Sequence, residues 1–145
     1  MTKKLTGLTS IFMLAFGALT FAQEPMAHCD IVFSNGVVLK DVPVAETQTE
    51  QEKGLSKRLD VGSGMLFTWP KAEPRTFWMR DTWVALDIGF FDTDAKLFAI
   101  KQMAPDSDTR YQSIQPARYA LELAQGQYAQ RNIPIGSRIV QLSCN

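Results

Sequence analysis

The two cysteines of this chain lie close to its two ends, at positions 29 and 144 of 145 residues. On strands of period two, Cys29 shares a face with Ile31, and Cys144 shares a face with Leu142. Both thiols are therefore predicted to point inward, one from a first strand and one from a last strand. A disulfide between them would join the two ends of the folded chain. Two free, buried thiols are the alternative that the pattern leaves open.

The first 22 residues have the three parts of a secretory signal peptide. Two lysines form a basic start, residues 5–18 are mostly apolar, and a small-x-small site ends at Ala22. The apolar run is short of the roughly 20 residues that a membrane span needs, although a retained anchor is the alternative. We expect cleavage after Ala22 and export to the periplasm or medium, where disulfides persist. Residues 23–145 would then form the mature protein, which does not insert into a membrane.

The balance of basic and acidic residues argues against nucleic acid as a partner. The chain carries 15 basic and 15 acidic residues, and 46% of its residues are hydrophobic, as in ordinary globular proteins. Nucleic acid binding relies on clustered Lys and Arg side chains that neutralise phosphates, so nucleic acid is not an expected partner. A mature chain of about 120 residues suits one domain with a single hydrophobic core, and we expect a monomer.

Short apolar runs separated by turn sequences predict a mainly β fold. Asn35-Gly36 and residues 92–95 are turn sequences between pairs of apolar runs, and each predicts a hairpin. Residues 47–54 begin with the capping-box pattern Thr-x-x-Glu and predict a short helix. Residues 117–124 alternate and predict a strand. We expect about seven short strands and one or two short helices in a compact, single-domain barrel-like or sandwich-like fold.

Five short motifs occur along the chain, and the ordered set is more specific than any single motif. They are Gly54-Leu55-x-x-Arg58, Gly64-Met65-Leu66-Phe67, Phe77-Trp78-Met79-Arg80-Asp81-Thr82, Leu86-Asp87-Ile88 and Tyr119-x-Leu121-Glu122. This set resembles the DUF192 family. The resemblance implies a compact, mainly β fold, often an exported location, and no established biochemical activity. Asp81 departs from the family pattern, which usually has Asn there, and Ser56 stands where Met is common.

The aromatic segment at residues 75–80 is predicted to be a strand that carries a binding groove. Trp78 and Arg80 fall on one face of that strand. An indole beside a guanidinium suits stacking on a sugar ring and bidentate binding of a carboxylate or phosphate. The alternative is a half-buried Trp under a salt-bridged Arg. We expect Trp78, Arg80 and Asp87 to line a groove for a small polar, saccharide-like or peptide ligand, with rim groups at Arg58, Asp81, Thr82 and Tyr111.

Two carboxylates, Asp87 and Glu122, stand alone within apolar runs. Because an unpaired buried carboxylate is unfavourable, Asp87 is expected to pair with Arg58 or Arg80. The alternative for Asp87 is a general acid or base with a perturbed pKa. If Asp87 and Glu122 faced one cleft, they could act as the two carboxylates of a glycosidase-like hydrolase. Glu122 has a further alternative, which is simple exposure to solvent.

Other catalytic and metal chemistry has little support. His28 is the only histidine and lies near the N-terminus of the expected mature chain, which is a poor position for a Ser-His-Asp or Cys-His system. Met26, His28 and Cys29 could hold Cu(I) as soft ligands, but an oxidised Cys29 would offer no thiolate. We predict no metal and no cofactor. The sequence favours a non-catalytic ligand-binding or accessory module of the cell envelope, with a hydrolase and a protein–protein accessory factor as alternatives.

Overall fold

The computed structural model describes residues 25–145, so the predicted signal peptide at residues 1–22 lies outside the described part. Within that part the chain forms nine strands and two short helices, and the predicted mainly β fold is confirmed. In chain order the elements are β1 (His28–Phe33), β2 (Val38–Ala45), α1 (Gln48–Lys53), β3 (Met65–Glu73), β4 (Thr76–Phe77), β5 (Leu86–Phe91), β6 (Leu97–Met103), β7 (Tyr111–Gln112), β8 (Ala117–Ala124), α2 (Gln127–Gln130) and β9 (Ile139–Cys144). Neither helix in this part of the chain is long and apolar enough to span a membrane.

Seven of the strands form one curled, half-barrel sheet in the order β6-β5-β8-β3-β2-β1-β9. Adjacent strands are antiparallel except β2 and β3, which are parallel. A parallel pair needs a crossover connection, and residues 46–64, which include α1, supply it. The other two strands, β4 and β7, form a separate ribbon. The crossover and this ribbon are the two elements that frame the site described below.

The sheet has a buried apolar layer on each face, because successive side chains of a strand point to opposite sides. On β8, Leu121 belongs to the cluster that includes Phe33 and Phe91, whereas Ala120 belongs to the cluster that includes Phe67 and Phe90. The single hydrophobic core expected from the chain length is therefore divided into two layers by the sheet. Each layer is covered by a different set of connecting segments.

The two ends of the chain are joined as the sequence predicted. Cys29 and Cys144 form a disulfide and lie opposite each other on the antiparallel strands β1 and β9. The alternative of two free thiols is thereby excluded. The inward face predicted for the last strand is wrong, since Val140, Leu142 and Cys144 are all exposed, Val140 to 57% and Leu142 to 37%, and Ile139 is the buried residue of β9. The reason is that β9 is the last strand of the sheet, and no strand in the described part of the chain pairs with its outer side.

The helix α1 begins at the capping box that the sequence predicted. The Glu50 backbone N–H donates to the Thr47 hydroxyl at 3.3 Å, and the Thr47 N–H donates to the Glu50 carboxylate at 2.9 Å. The N–H groups of Thr47 and Glu46 hold the pKa of Glu50 below its ordinary value. Since α1 has only six residues, these contacts fix its start and therefore the direction of its side chains.

Gly64 precedes β3 at a point where no larger residue fits. Its φ is +94°, and a β-carbon there would overlap the carbonyl oxygen of Glu122. We expect Gly64→Ala to lower the free energy of unfolding by about 2 to 3 kcal/mol, measured by urea denaturation. Gly36→Ala is the matched control, because Gly36 has a φ of +86° and open space around it. Equal losses in the two variants would mean that the close contact with Glu122 contributes nothing.

Candidate functional site

A cavity of about 390 Å³ lies between α1 and the segment of residues 74–82, over one face of the sheet. Phe67 and Trp69 of β3 and Phe77 of β4 form its wall, and Glu122 of β8 also lines it. We call it the aromatic cavity. Its volume is in the range of small-molecule binding sites in proteins.

The aromatic wall is built from rings that contact one another. Phe67 and Trp69 are two positions apart on β3 and lie nearly parallel, with ring centroids 6.3 Å apart. Phe77 meets both rings edge-on, at centroid distances of 5.0 Å to Phe67 and 6.2 Å to Trp69. Edge-to-face and offset stacking are the favoured geometries of aromatic pairs. The three rings therefore form one continuous apolar surface.

Two side chains hold the Trp69 indole in place. Its Nε1–H donates to the Gln51 amide oxygen at 2.9 Å, and the Gln51 amide nitrogen donates to the Thr68 carbonyl at 2.9 Å. On the ring face, the Arg75 guanidinium lies 4.3 Å from the indole centroid and donates to the Lys71 carbonyl at 2.7 Å. Burial lowers the pKa of Arg75. The wall is thus fixed by the protein itself before any ligand arrives.

Glu122 is the buried titratable group of the aromatic cavity. It is 5% exposed and lies between Met65 of β3 and Ile88 of β5 in the sheet. No hydrogen bond from residues 25–145 reaches its carboxyl, and burial raises its pKa to about 8. At neutral pH the side chain is therefore mostly a neutral acid, which can donate one hydrogen bond and accept others.

Three of the predicted ligand-binding residues line the aromatic cavity, namely Trp78, Arg80 and Thr82. The predicted strand ends early, because β4 stops at Phe77 and Trp78 and Arg80 follow it. Trp78 is 43% exposed and is covered on one face by the Arg110 guanidinium, 4.3 Å from the ring centroid. Arg80 is exposed, and its Nε–H donates to Asp108 at 2.9 Å. Thr82 is buried and donates to the Arg80 carbonyl at 3.4 Å.

The other predicted groove residues lie elsewhere. Arg58 and Asp81 are exposed and do not line the aromatic cavity. Tyr111 belongs to β7, and its hydroxyl accepts the Ala104 N–H at 3.1 Å. Asp87 is buried at a second cavity of about 460 Å³, where it accepts the N–H of Gly126 at 2.8 Å. The expected ion pair of Asp87 with Arg58 or Arg80 is not formed, since within residues 25–145 Arg80 pairs with Asp108.

The sheet register separates the two carboxylates of the hydrolase hypothesis. Asp87 lies opposite Leu123 and Ile88 lies opposite Glu122, so Asp87 and Glu122 point to opposite faces of the sheet. The structure therefore does not bring this pair together at one bond. Glu52 of α1 is the other carboxylate that lines the aromatic cavity, and no pattern in the sequence marks it as a site residue.

Sequence reasoning also missed Gln51 and the part played by Trp69 and Phe77. The alternation of Phe67 and Trp69 was a usable signal, because two aromatic residues two positions apart on a strand share a face. Gln51 gave no signal, since its contact with Trp69 joins residues 18 positions apart across the crossover. No three His, Cys, Asp or Glu side chains of residues 25–145 are grouped as a metal site.

Comparison with known proteins identifies the family. Residues 31–141 match the DUF192 family model, whose description is "Uncharacterized ACR, COG1430", so the chain belongs to the DUF192 family. A crystal structure of a protein of unknown function from Novosphingobium aromaticivorans is similar, with 30% identity, a TM-score of 0.71, and coverage of 79% of this chain and 84% of that chain. A Sinorhizobium meliloti protein described as a "putative transcription regulator" has 26% identity, a TM-score of 0.69, and coverage of 83% of this chain and 94% of that chain. No curated protein matches the chain.

Proposed function

We propose that this protein is an exported, non-catalytic binding module of the cell envelope, and that the aromatic cavity is its ligand site. One observation carries the proposal: the carboxyl of Glu122 is buried, lacks a hydrogen-bond partner in residues 25–145, and lines a cavity with a fixed aromatic wall. Buried polar groups in proteins almost always have a partner. A ligand that fills the cavity would supply one.

The cavity has the composition of a small-molecule site. Aromatic rings provide an apolar contact surface on one side, and polar groups, among them Arg80 and Glu122, contribute a comparable share of the lining and can orient a ligand. Gln51 and Arg75 already fix the Trp69 ring, so binding requires little ordering of the protein. These features support a small polar, saccharide-like or peptide ligand that places a flat or apolar face against the wall.

Export is supported by the disulfide, because bonds of this kind persist outside the reducing cytosol. The sequence pattern of residues 1–22 supports it independently. Expression of the full chain in a bacterium should place the protein in the periplasm, and mass spectrometry should find Gln23 as its first residue. A protein that stays in the cytoplasm with its first 22 residues attached would contradict the export part of the proposal.

The ligand part is tested by a thermal-shift screen of the purified, exported protein against saccharides, small carboxylates, phosphates and short peptides. A ligand that binds only the folded state raises the unfolding temperature. We expect the stabilisation to be lost in Trp78→Ala and in Arg80→Ala. It should survive in the matched controls Trp83→Ala and Arg58→Ala, because neither Trp83 nor Arg58 lines the aromatic cavity. Equal loss in variants and controls, or no stabilising compound, would overturn the proposal.

A hydrolytic role is the second candidate, and the raised pKa of a carboxyl in a cavity is the observation that favours it. Glu122 would act as the general acid, and Glu52 is the carboxylate that could serve as its partner. Turnover of aryl glycosides that disappears in both Glu122→Gln and Glu52→Gln would establish this role. Absence of turnover in the unmodified protein would exclude it for these substrates.

A further inference from the structure

The basic side chains that line the aromatic cavity differ in how many of their N–H groups already have partners in the protein. Arg75 is fully engaged, since it donates to the Lys71 and Ala117 carbonyls and lies 3.5 Å from Glu73. Arg80 uses only its Nε–H, for Asp108, so its two terminal nitrogens have no partner in residues 25–145. The Lys53 ammonium likewise forms no ion pair within the described part of the chain. Within the described residues, Arg80 and Lys53 therefore have cationic N–H donors that no protein group occupies and that a ligand could bind.

The acidic side chains do not balance these cations. Glu52 accepts a hydrogen bond from the Gln48 amide at 2.8 Å. Glu122 is neutral while it holds its proton, because its burial between Met65 and Ile88 disfavours the charged form. The carboxylates of Glu73 and Asp108, which pair with Arg75 and Arg80, lie outside the lining. Within the lining itself, three basic side chains therefore stand against Glu52 and the neutral Glu122, which is a positive surplus. Such a lining favours an anion and disfavours an ammonium group.

We propose that the aromatic cavity selects small carboxylates with a compact aromatic or apolar body, and that Glu122 determines this selectivity by donating a hydrogen bond to the ligand carboxylate. This inference rests on the proposed function and names its ligand class. The body of the ligand lies against Phe67, Trp69 and Phe77, and the positive surplus attracts its charge. A hydrogen bond from a neutral acid to a carboxylate is short and strong. The carboxylate could belong to a free organic acid or to the C-terminus of a peptide.

The groups that face Glu122 determine how binding depends on pH. From α1 these are Glu52 and Lys53, and from residues 74–82 they are Arg75 and Arg80. Tyr128 of α2 packs on the other face of the sheet, where its hydroxyl donates to the Leu121 carbonyl, and burial raises the pKa of Tyr128 well above its ordinary value. Asp87 lies on the other face of the sheet. Glu122 is thus the cavity group expected to change charge between pH 7 and pH 9.

Ionisation of Glu122 should weaken ligand binding, because the Glu122 carboxylate and the ligand carboxylate would then repel each other. If only the protonated protein binds, affinity falls in proportion to the protonated fraction. With a pKa of about 8, the affinity for a carboxylate should be about tenfold lower at pH 9 than at pH 7. An ammonium ligand would show the opposite trend, since ionised Glu122 would attract it. The sign of the pH dependence therefore distinguishes the two ligand classes.

The test is calorimetric titration of the exported protein with 3-phenylpropionate, 3-phenylpropanamide and 3-phenylpropylamine at pH 7 and pH 9. These probes share a body and differ in the head group. We expect the acid to bind at pH 7, to weaken about tenfold at pH 9, and to bind better than the amide and the amine at pH 7. N-acetyl-phenylalanine binding as well as 3-phenylpropionate would identify a peptide terminus as an accepted source, and its exclusion would identify a free acid.

Variants at one position complete the test. Glu122→Gln keeps a neutral donor, so it should bind 3-phenylpropionate with little change between pH 7 and pH 9, whereas Glu122→Leu should lose binding. Urea denaturation establishes that both variants fold. Preference for the amine or the amide, pH-independent binding by the unmodified protein, or no binding of 3-phenylpropionate would overturn the inference. The proposed function would survive each of these results if another compound of the thermal-shift screen depends on Trp78 and Arg80.

Discussion

Reduction of the Cys29–Cys144 disulfide is expected to lower the free energy of unfolding by about 4 to 5 kcal/mol. The two cysteines are 115 positions apart, so the bond closes a loop that includes almost all of the described chain. A loop of this length strongly restricts the unfolded chain, and reduction restores that freedom. The edge strand β9 adds to the effect, because Ile139 is its one buried residue and, among the strands of residues 25–145, only β1 pairs with it in the sheet.

Urea denaturation with and without dithiothreitol measures this loss. The double variant Cys29→Ala/Cys144→Ala is the control, since it lacks the bond and should respond to dithiothreitol with no change. Its stability should match that of the reduced protein. A change of less than about 1 kcal/mol in the free energy of unfolding on reduction would show that the disulfide does not stabilise the fold as expected.

Glu122→Gln is expected to stabilise the protein at pH 8 by on the order of 4 kcal/mol. Below pH 4.5, the ordinary value for a glutamate, the folded and unfolded states both hold the Glu122 proton, and burial carries no ionic penalty. Between pH 4.5 and about 8 the unfolded chain releases this proton while the folded protein keeps it, so stability falls as pH rises. Above about pH 8 both states are ionised and the loss is complete.

The measurement is urea denaturation of both proteins at several pH values from 4 to 9. The two stability curves should meet at the acidic end and diverge up to about pH 8, and their difference isolates Glu122 from every other titrating group. Parallel curves would show that the Glu122 carboxyl is solvated in the folded protein. A buried group that weakens the fold at neutral pH is characteristic of functional sites, where stability and activity conflict.

Local sequence patterns were sufficient for the features that depend on few neighbouring residues. The capping box of Thr47 and Glu50 forms as its spacing predicts, because all its hydrogen bonds join residues within four positions. Asn35-Gly36 lies in the turn between β1 and β2, where Gly36 has a φ of +86°. The even number of cysteines predicted the disulfide, since only one pairing was available.

Side-chain direction in the buried strands could not be predicted in the same way. Every residue of β5 is buried, so burial does not reveal that Asp87 and Ile88 face different layers. The register that opposes Ile88 to Glu122 joins residues 34 positions apart and depends on how the whole sheet assembles. Sequence could therefore identify two unusual carboxylates but could not place them on one face or on two.

The aromatic cavity, likewise, could be predicted only in part from the sequence. Trp78 and Arg80 were identified because an indole beside a guanidinium is unusual on its own. The wall formed by Trp69 and Phe77 depends on the crossover that brings α1 beside β3 and on the short ribbon that ends at Phe77. These contacts are tertiary, and no local pattern in the sequence specifies them.

The position of the ligand site is tested most directly by NMR. The protein has three tryptophans, and their indole N–H signals are followed while the protein is titrated with the strongest stabilising compound from the screen. Trp69 and Trp78 line the aromatic cavity, and Trp83, which is 51% exposed, does not. We expect the signals of Trp69 and Trp78 to shift with saturation while that of Trp83 stays in place. Binding that shifts Trp83 alone, or that leaves Trp69 and Trp78 unchanged, would show that the ligand site lies elsewhere.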